Sequence, residues 1–332
     1  MKLPVTVTPA RRELDRRTFL ALGSGALAVW AVPSWLRPRE RLVRLSVPVM
    51  GTVADFAVPA REERMARQAL SAAAAELRRV ESLMTRFTAT SDVGRYNGAA
   101  EGASVSVSPE TAEVVRAALE WARWSDGAFD PTLAQLSVLW DPATVHAPPD
   151  ARLIQSAASG AWRAMELPGP GEGPRLRRVP GTALDLGGIA KGYGVDRAAT
   201  VLREHGVFRG LVNVGGDLMA LGDGPGGRPW RIGVRDPARP DELISTLEVV
   251  DQAVATSGDY LRYFEHGGRR YHHILDGTTG APSRSGIRSV TVTASEVAAA
   301  DAAATMAFTT GPEVASGLLE RREGALRIAH SI

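Results

Sequence analysis

Two separated segments contain the residue types of a phosphate- and cation-binding site. The first runs from Asp185 to Asp196 and reads DLGGIAKGYGVD. We expect a strand, a glycine-rich turn and a helix there, which would offer backbone N–H groups and one carbonyl to a phosphate or its metal. The second segment, DAAAT, places Asp301 and Thr305 four residues apart, so a helix would present the carboxylate and the hydroxyl on one face. Together they predict an all-oxygen site for a hard cation such as Mg²⁺, holding a nucleotide or dinucleotide.

Both segments also have a purely structural interpretation. Asp301 could make a capping or interhelical hydrogen bond, and Thr305 could bond back to a carbonyl of its own helix. The surrounding sequence EVAAADAAATMAF is small and apolar, so the carboxylate needs a partner of some kind, because burying it alone is costly. The glycines could form a tight turn without a ligand. Lys191 could neutralise a phosphate or pair with Asp185 or Asp196.

A third candidate segment reads YHHILD, from Tyr271 to Asp276. On a strand, His272 and His273 would point to opposite faces, which argues against a two-histidine metal site. His273 near an anionic substrate could act as a general base, since the pKa of histidine is close to neutral. It could equally hydrogen-bond a turn.

The composition narrows the classes of function. The 332 residues are 44% hydrophobic, as expected for a globular protein of one or two domains. Lys and Arg number 39 against 37 Asp and Glu, so a net charge of +2 without a basic stripe predicts no nucleic-acid partner. The chain has no cysteine, which excludes disulfides, thiolate metal sites, Fe–S clusters and a cysteine nucleophile. Any metal must therefore have oxygen or nitrogen ligands.

The first forty residues differ in character from the rest. Arg16 and Arg17 precede a small, apolar run from Ala21 to Val32. This pattern is typical of a twin-arginine export signal, and about 12 apolar residues are too few for a stable membrane span. A short amphipathic or core helix is the alternative. We expect residues 1–40 to be an export signal or N-terminal tether, which takes the protein to the periplasm or the outer face of the cytoplasmic membrane, and residues 41–332 to form the folded domain.

The remaining sequence predicts a mixture of helices and strands. Helices are expected at 62–83, 108–125, 148–158, 192–205 and 295–309. Strands are expected at 45–58 with a break at 50–52, near 186, and at 211–214, 218–221, 230–235, 252–256, 271–275 and 289–293. Residues 167–180 predict a surface loop or hairpin. Because no regular βαβ alternation appears, we predict an α+β fold with mixed or antiparallel sheets packed against helices.

Eight segments in order resemble one known family. They are MGT at Met50, ESLMTRF with SDVGRYN from Glu81, GAFDPT from Gly127, DLGGIAKGYGVD from Asp185, LVNVGGDL from Leu211, VATSGDYLRYF from Val254, HHILDGTTGAP from His272 and ADAAAT from Ala300. From about Leu42 onward the chain resembles the FAD:protein FMN transferases, or ApbE-like proteins. Two departures stand out. Gly277 replaces the usual proline after HIxD, and the flavin-contact segment reads Met84-Thr85-Arg86-Phe87.

The resemblance implies Mg²⁺-dependent transfer of FMN from FAD to a threonine hydroxyl of an acceptor protein with an FMN-binding domain, releasing AMP. It implies Mg²⁺ ligation by the carbonyl of Ala190 and the side chains of Asp301 and Thr305. His273 would accept the proton, and Lys191 would neutralise phosphate charge beside Asp301. The FAD-binding residues it implies are Met50, Phe87, Phe129, Asp130, Gly187, Gly188, Lys191, Asp217, Ser257, Gly258, Asp259 and His273, with Phe87 a stacking partner of the flavin.

Two other functions use the same residues. An FAD pyrophosphatase would use water in place of threonine and release FMN with AMP. A non-catalytic periplasmic FAD carrier would need neither a metal nor a base, so the combination of Asp301, Thr305 and His273 argues against it. Any membrane contact is expected only through the N-terminal segment or a membrane-bound acceptor.

Overall fold

The fold is built around one antiparallel sheet of seven strands. The computed structural model describes residues 41–60, 62–157, 160–167, 173–239, 241–320 and 327–331. In chain order the strands are β1 Arg41–Val49, β2 Thr52–Ala60, β3 Ser104–Ser106, β4 Arg175–Arg177, β5 Gly210–Val214, β6 Asp217–Leu221, β7 Trp230–Arg235, β8 Leu243–Val249, β9 Gln252–Gly258, β10 Tyr263–His266, β11 Arg269–His272, β12 Leu275–Asp276, β13 Ala281–Pro282, β14 Ser289–Ala294 and β15 Arg327–Ser331. The sheet order is β1-β2-β5-β6-β9-β14-β15, and each neighbouring pair is antiparallel. The predicted export signal, residues 1–40, lies outside the described residues.

The helices are α1 Glu63–Met84, α2 Asp92–Gly98, α3 Pro109–Trp124, α4 Ala134–Leu139, α5 Ala151–Ser156, α6 Ala190–Glu204, α7 Val297–Thr310 and α8 Pro312–Glu320, with a 3₁₀ turn at Ala161–Ala164. α6 packs against α1 and α7, and α7 also packs against β9 and β14. The mixture of helices with an antiparallel sheet confirms the α+β prediction.

Both faces of the central sheet are covered. On β5, Val212 and Val214 belong to the main core shared with the helices, whereas Leu211 belongs to a second cluster. This alternation follows from the two-residue period of a strand. The second cluster includes Trp230 of β7 and Val249 of β8, so the β7–β8 hairpin covers the sheet face opposite the helices.

Helix α7 is buried almost all round. Apart from Asp301 and Thr309, the residues buried along it are apolar, and most of them are alanine. A helix that is apolar on every side needs neighbours on every side. Its small side chains allow a close approach to α6: a Cβ added to Gly192 would lie 2.4 Å from the carbonyl oxygen of Val297.

Most predicted elements appear within a few residues of the expected bounds, but two strands do not. The strand expected near Leu186 is wrong: Ala183 makes only an isolated bridge to Leu133, and Leu186 lies in irregular chain. The strand expected over 271–275 is split, because β11 ends at His272 and β12 begins at Leu275. His273 therefore lies in a connection between strands.

Three further elements bear on the predictions. The helix expected at 148–158 is shorter, covering Ala151–Ser156. The strand expected over 45–58 is a hairpin, in which Met50 and Gly51 have φ values of 52° and 70° and form the tight turn. Of the loop or hairpin predicted at 167–180, residues 168–172 lie outside the described part, and β4 pairs with β3. No helix within the described ranges is long and apolar enough to cross a membrane.

Candidate active site

A cleft of about 320 Å³ opens where the start of α6, the middle of α7 and the end of β9 meet. It brings together twelve of the residues singled out from the sequence. They are Met50, Phe87, Phe129, Asp130, Gly187, Gly188, Lys191, Ser257, Gly258, His273, Asp301 and Thr305. Three other predicted site residues, Ala190, Asp217 and Asp259, do not line it.

Lys191 lies between two buried carboxylates. Its ammonium group donates a short hydrogen bond to Asp217 and lies 3.3 Å from each oxygen of Asp301. Burial works against the charge, but the two carboxylates outweigh it and raise the pKa of Lys191. The lysine therefore remains charged. The alternative that it pairs with Asp185 or Asp196 is wrong.

Asp301 makes the interhelical hydrogen bond that the structural interpretation predicted. The backbone N–H of Gly192 donates to its Oδ2 at 3.1 Å. The bond to Gly192 occupies only Oδ2. The contact described for the other oxygen, Oδ1, is with Lys191. One turn later, the hydroxyl of Thr305 lies 3.5 Å from that of Ser257. Among the described hydrogen bonds, none joins this hydroxyl to a carbonyl of α7, the alternative that the sequence left open.

The donor set beside Lys191 fits a hard cation. Asp301 and Thr305 offer a carboxylate and a hydroxyl oxygen on one face of α7, inside the cleft. Ala190, the first residue of α6, adjoins Lys191 in the chain but does not line the cleft. Within the described residues, no group of three or more His, Cys, Asp or Glu could hold a metal. Mg²⁺ needs no such group, since it commonly binds through one or two carboxylates, waters and substrate phosphates.

His273 faces the cleft with one ring nitrogen free. Its backbone N–H and its Nδ1 each lie 3.2 Å from the carbonyl oxygen of Arg262. A carbonyl only accepts, so Nδ1 holds the proton and Nε2 is left as an acceptor. Burial, then the charge of Arg262, lowers the pKa of His273 to about 3. The imidazole is therefore neutral at physiological pH.

The neighbouring histidine points elsewhere, as the strand pattern predicts. His272 is buried, lies edge-on to Phe308 with ring centroids 5.2 Å apart, and has its Nε2 3.2 Å from the carbonyl oxygen of Ser283. Burial lowers its pKa. His272 itself does not line the cleft.

Phe87 stands at the rim of the cleft with 68% of its surface exposed. The guanidinium of Arg86 lies 4.2 Å from its ring centroid. Arg86 is held by Asp185 at 3.1 Å, and the same carboxylate accepts from the N–H of Gly187 at 2.9 Å. The amide of Gly187, expected to be free for a phosphate, is thus occupied. Sequence reasoning included Arg86 in the flavin-contact segment but gave it no role, although an arginine beside the expected stacking residue is a usable signal.

The turn that contains Phe129 and Asp130 shapes the cleft floor. A Cβ on Gly188 would lie 3.0 Å from the Phe129 ring and 3.4 Å from Thr305, so only glycine fits there without displacement. The carboxylate of Asp130 accepts from the backbone N–H groups of Thr132 at 2.7 Å and Gly160 at 2.9 Å. Asp130 lines the cleft, but its oxygens already hold the turn.

Two acidic residues predicted to bind FAD are not brought to the cleft. Asp217, the first residue of β6, contacts Lys191 but does not line the cleft. Asp259 lies between Arg270 and Arg288, with contacts of 3.4 Å to each. Their motifs were recognised correctly, but the direction of each side chain depends on strand register and on basic partners that are distant in sequence.

Asp196 has a role that sequence reasoning missed. Its two carboxylate oxygens accept from the N–H groups of Val297 and Ala298, each at 2.9 Å. It therefore caps the start of α7 from the neighbouring helix, while Glu296 at the cap position makes no side-chain cap. No local signal for this contact existed, because Ser295, just before the helix, is itself a favourable cap residue.

The sequence and the fold of this chain are similar to those of known proteins. A family model described as the ApbE family matches residues 50–329. A Klebsiella pneumoniae protein named FAD:protein FMN transferase is 32% identical over 286 residues, covering 86% of this chain and 87% of the relative. A crystal structure of an ApbE protein from Thermotoga maritima has a TM-score of 0.78 and 31% identity, covering 87% of this chain and 94% of the other. The apo flavinyl transferase ApbE of Pseudomonas stutzeri has a TM-score of 0.73 and 31% identity, with coverages of 87% and 91%.

Proposed function

Because this chain belongs to the ApbE family, we propose that it transfers FMN from FAD to a threonine hydroxyl of an acceptor protein and releases AMP. The observation that supports this most directly is the cleft itself. It combines a lysine paired with buried carboxylates, for a pyrophosphate, with a neutral imidazole, for an incoming hydroxyl. Relatives named FAD:protein FMN transferase cover most of this chain.

The proposed reaction exchanges the phosphoanhydride bond of FAD for a phosphate ester bond to the acceptor. The threonine oxygen of the acceptor forms a bond to the phosphorus of the FMN half of FAD. The bond from that phosphorus to the bridging oxygen breaks, and AMP leaves with the bridging oxygen. The hydroxyl proton goes to Nε2 of His273, which is unprotonated at physiological pH.

Positive charge is needed where the pyrophosphate lies. α6 begins beside the cleft, so the partial positive charge of its N-terminus favours an anion there. Lys191 adds a full charge next to it. Asp301 and Thr305, with the carbonyl of Ala190 as the family resemblance implies, would hold Mg²⁺. Bound Mg²⁺ would neutralise charge on the pyrophosphate oxygens.

Phe87 is placed to bind the flavin ring. One face of its ring rests on Arg86 and the side chain is mostly exposed at the rim of the cleft. An exposed aromatic face favours an offset stack with a planar, electron-poor ring such as isoalloxazine. We assign Phe87 this stacking role in FAD binding.

The test is to incubate the protein with FAD and MgCl₂, with and without an acceptor domain that contains a flavinylation threonine. AMP release and the mass of the acceptor are followed together. We expect an FMN-sized mass increase that requires Mg²⁺. AMP and free FMN without an adduct would identify an FAD pyrophosphatase, and intact bound FAD would identify a carrier; either result would refute the transferase.

We also infer that residues 1–40 direct export by the twin-arginine route, so that the enzyme acts in the periplasm or at the outer face of the cytoplasmic membrane. The support is the Arg16-Arg17 pair before a short apolar run.

A further inference from the structure

The cluster of Lys191, Asp217 and Asp301 places one lysine and two aspartate side chains at the cleft wall. Both carboxylate side chains are 4% exposed, whereas the lysine side chain is 30% exposed. The two contacts are unequal. The lysine donates a short hydrogen bond to one oxygen of Asp217 but lies at an even 3.3 Å from both oxygens of Asp301. Asp217 is therefore the closer partner of the lysine, and the contact with Asp301 is the longer of the two.

Both oxygens of Asp301 contact Lys191, so a cation on this carboxylate would compete with the lysine. Oδ2 is already fixed by the N–H of Gly192, and the contact described for Oδ1 is with the lysine. A metal ion on Asp301 would lie close to the ammonium group, and two like charges near one carboxylate repel. The lysine must then withdraw from Asp301, and Asp217 is the partner on which it can remain.

We propose that Lys191 is an internal cation that competes with Mg²⁺ for Asp301, and that Asp217 is the positioning residue that holds Lys191 back when the metal binds. This inference rests on the proposed function, because it assumes that Asp301 is a metal ligand. The inference gives Asp217 a role that does not require it to line the cleft. It also explains how a buried carboxylate of the metal site stays paired before the metal arrives.

The two partners of Lys191 should then affect metal affinity in opposite directions. Without the lysine, Asp301 has no competing cation and should bind metal more tightly. Without Asp217, the lysine has only Asp301 as a close anionic partner, and the site should bind metal less tightly. If Asp217 acts through Lys191, its removal should have no effect once the lysine is gone, which is a double-mutant cycle.

The experiment measures binding of Mn²⁺, a paramagnetic substitute for Mg²⁺, to EDTA-treated full-length protein by EPR, without FAD. We expect the Kd to fall about tenfold in Lys191→Met and to rise about tenfold in Asp217→Asn, as for one close charge pair. In the Lys191→Met background, Asp217→Asn should change the Kd by less than about twofold. Asp236→Asn removes a buried carboxylate paired with Arg239 outside the cleft and is the matched control, with an unchanged Kd.

The following results would contradict the competition between Lys191 and the metal, or the metal site itself. Unchanged or weaker binding in Lys191→Met, or the same loss from Asp217→Asn in both backgrounds, would overturn the competition while leaving the metal site standing. The variant Asp301→Ala tests the metal site separately from the competition. Mn²⁺ binding equal to wild type in that variant would overturn both the metal site and the inference that depends on it. Circular dichroism checks folding, and Lys191→Gln replaces Lys191→Met if the latter does not fold.

Discussion

His273 is the residue on which the proposed proton transfer depends. The Arg262 carbonyl fixes its tautomer and leaves Nε2 as an acceptor in a side chain that lines the cleft. Replacement by Asn should lower the rate of FMN transfer by about 10²-fold or more, the usual contribution of a general base. FAD binding should change little, because Lys191 and Phe87 remain.

The rate is read from the mass of the acceptor adduct, and binding from flavin fluorescence. His266→Asn is the control, since this exposed histidine on β10 does not line the cleft. A His273→Asn enzyme as fast as wild type would rule out the proposed base.

Some site residues could be predicted from sequence because their spacing determines their direction. Asp301 and Thr305 are one helical turn apart, so a helix of any kind brings them to one face. Lys191 was recognisable as a charge among buried residues, but its partners were not, because Asp217 and Asp301 come from elements distant in the chain. Asp259 shows the same limit: two arginines beyond its motif decide where its carboxylate points.

At the scale of elements, the contact between α6 and α7 holds the two halves of the cation site together. Gly192 allows it, because an added Cβ would meet backbone atoms of Val297 and Ala298 at 2.4 and 2.7 Å. Gly192→Ala should lower the free energy of unfolding by about 2 kcal/mol or more, since backbone atoms cannot move aside as a flexible side chain can. Denaturant unfolding measures the change.

Gly98, also in a helix, would have no atom within 4 Å of an added Cβ and is the matched control. Gly98→Ala should leave stability unchanged or raise it by about 0.5–1 kcal/mol. Equal destabilisation in the two variants would show that close helix packing is not the cause.

Element type was easier to predict than element boundaries near the site. The alternating and helical hydrophobic patterns found six of the seven strands of the central sheet, all but β15, and the helices α1, α3, α6 and α7. The apolar residues before the glycine turn suggested a strand, yet near Leu186 the chain finds no strand to pair with, and the N–H of Asp185 donates instead to the carbonyl of Pro131 at 2.8 Å. Strand pairing depends on distant neighbours, which a local pattern does not contain.

At the scale of the whole molecule, His272 ties stability to pH. It is buried, its Nδ1 has no hydrogen-bond partner among the described residues, and burial lowers its pKa in the folded state. The unfolded chain, with a histidine pKa of about 6.5, therefore takes up a proton that the folded protein resists. Stability is full above that pH and is lost as the pH falls below it.

His272→Gln, which keeps an amide near the Ser283 carbonyl, should flatten this dependence. Between about pH 6.5 and 5, the difference in slope should approach 1.4 kcal/mol per pH unit at most. Unfolding free energies at several pH values measure it. Parallel curves for the two proteins would contradict the assignment.

Export is also a property of the whole chain. Replacing Arg16 and Arg17 by lysine should keep the protein in the cytoplasm, because the twin-arginine pair is the recognised signal. Cell fractionation followed by immunoblotting locates the protein. An unchanged periplasmic fraction would refute the export proposal, while the same substitutions should leave FAD turnover in cell extracts unaltered.

The order of strands in the sheet affects how the protein folds during its synthesis. Ala54 of β2 pairs with Val214 of β5, and Ser257 of β9 pairs with Val290 of β14, so neighbours in space are far apart along the chain. Such a high contact order predicts slow folding. The cleft draws on residues from Met50 to Thr305, and a nascent chain still lacking α7 on the ribosome has only part of it. We therefore expect FAD binding and turnover to begin only after synthesis has passed that helix.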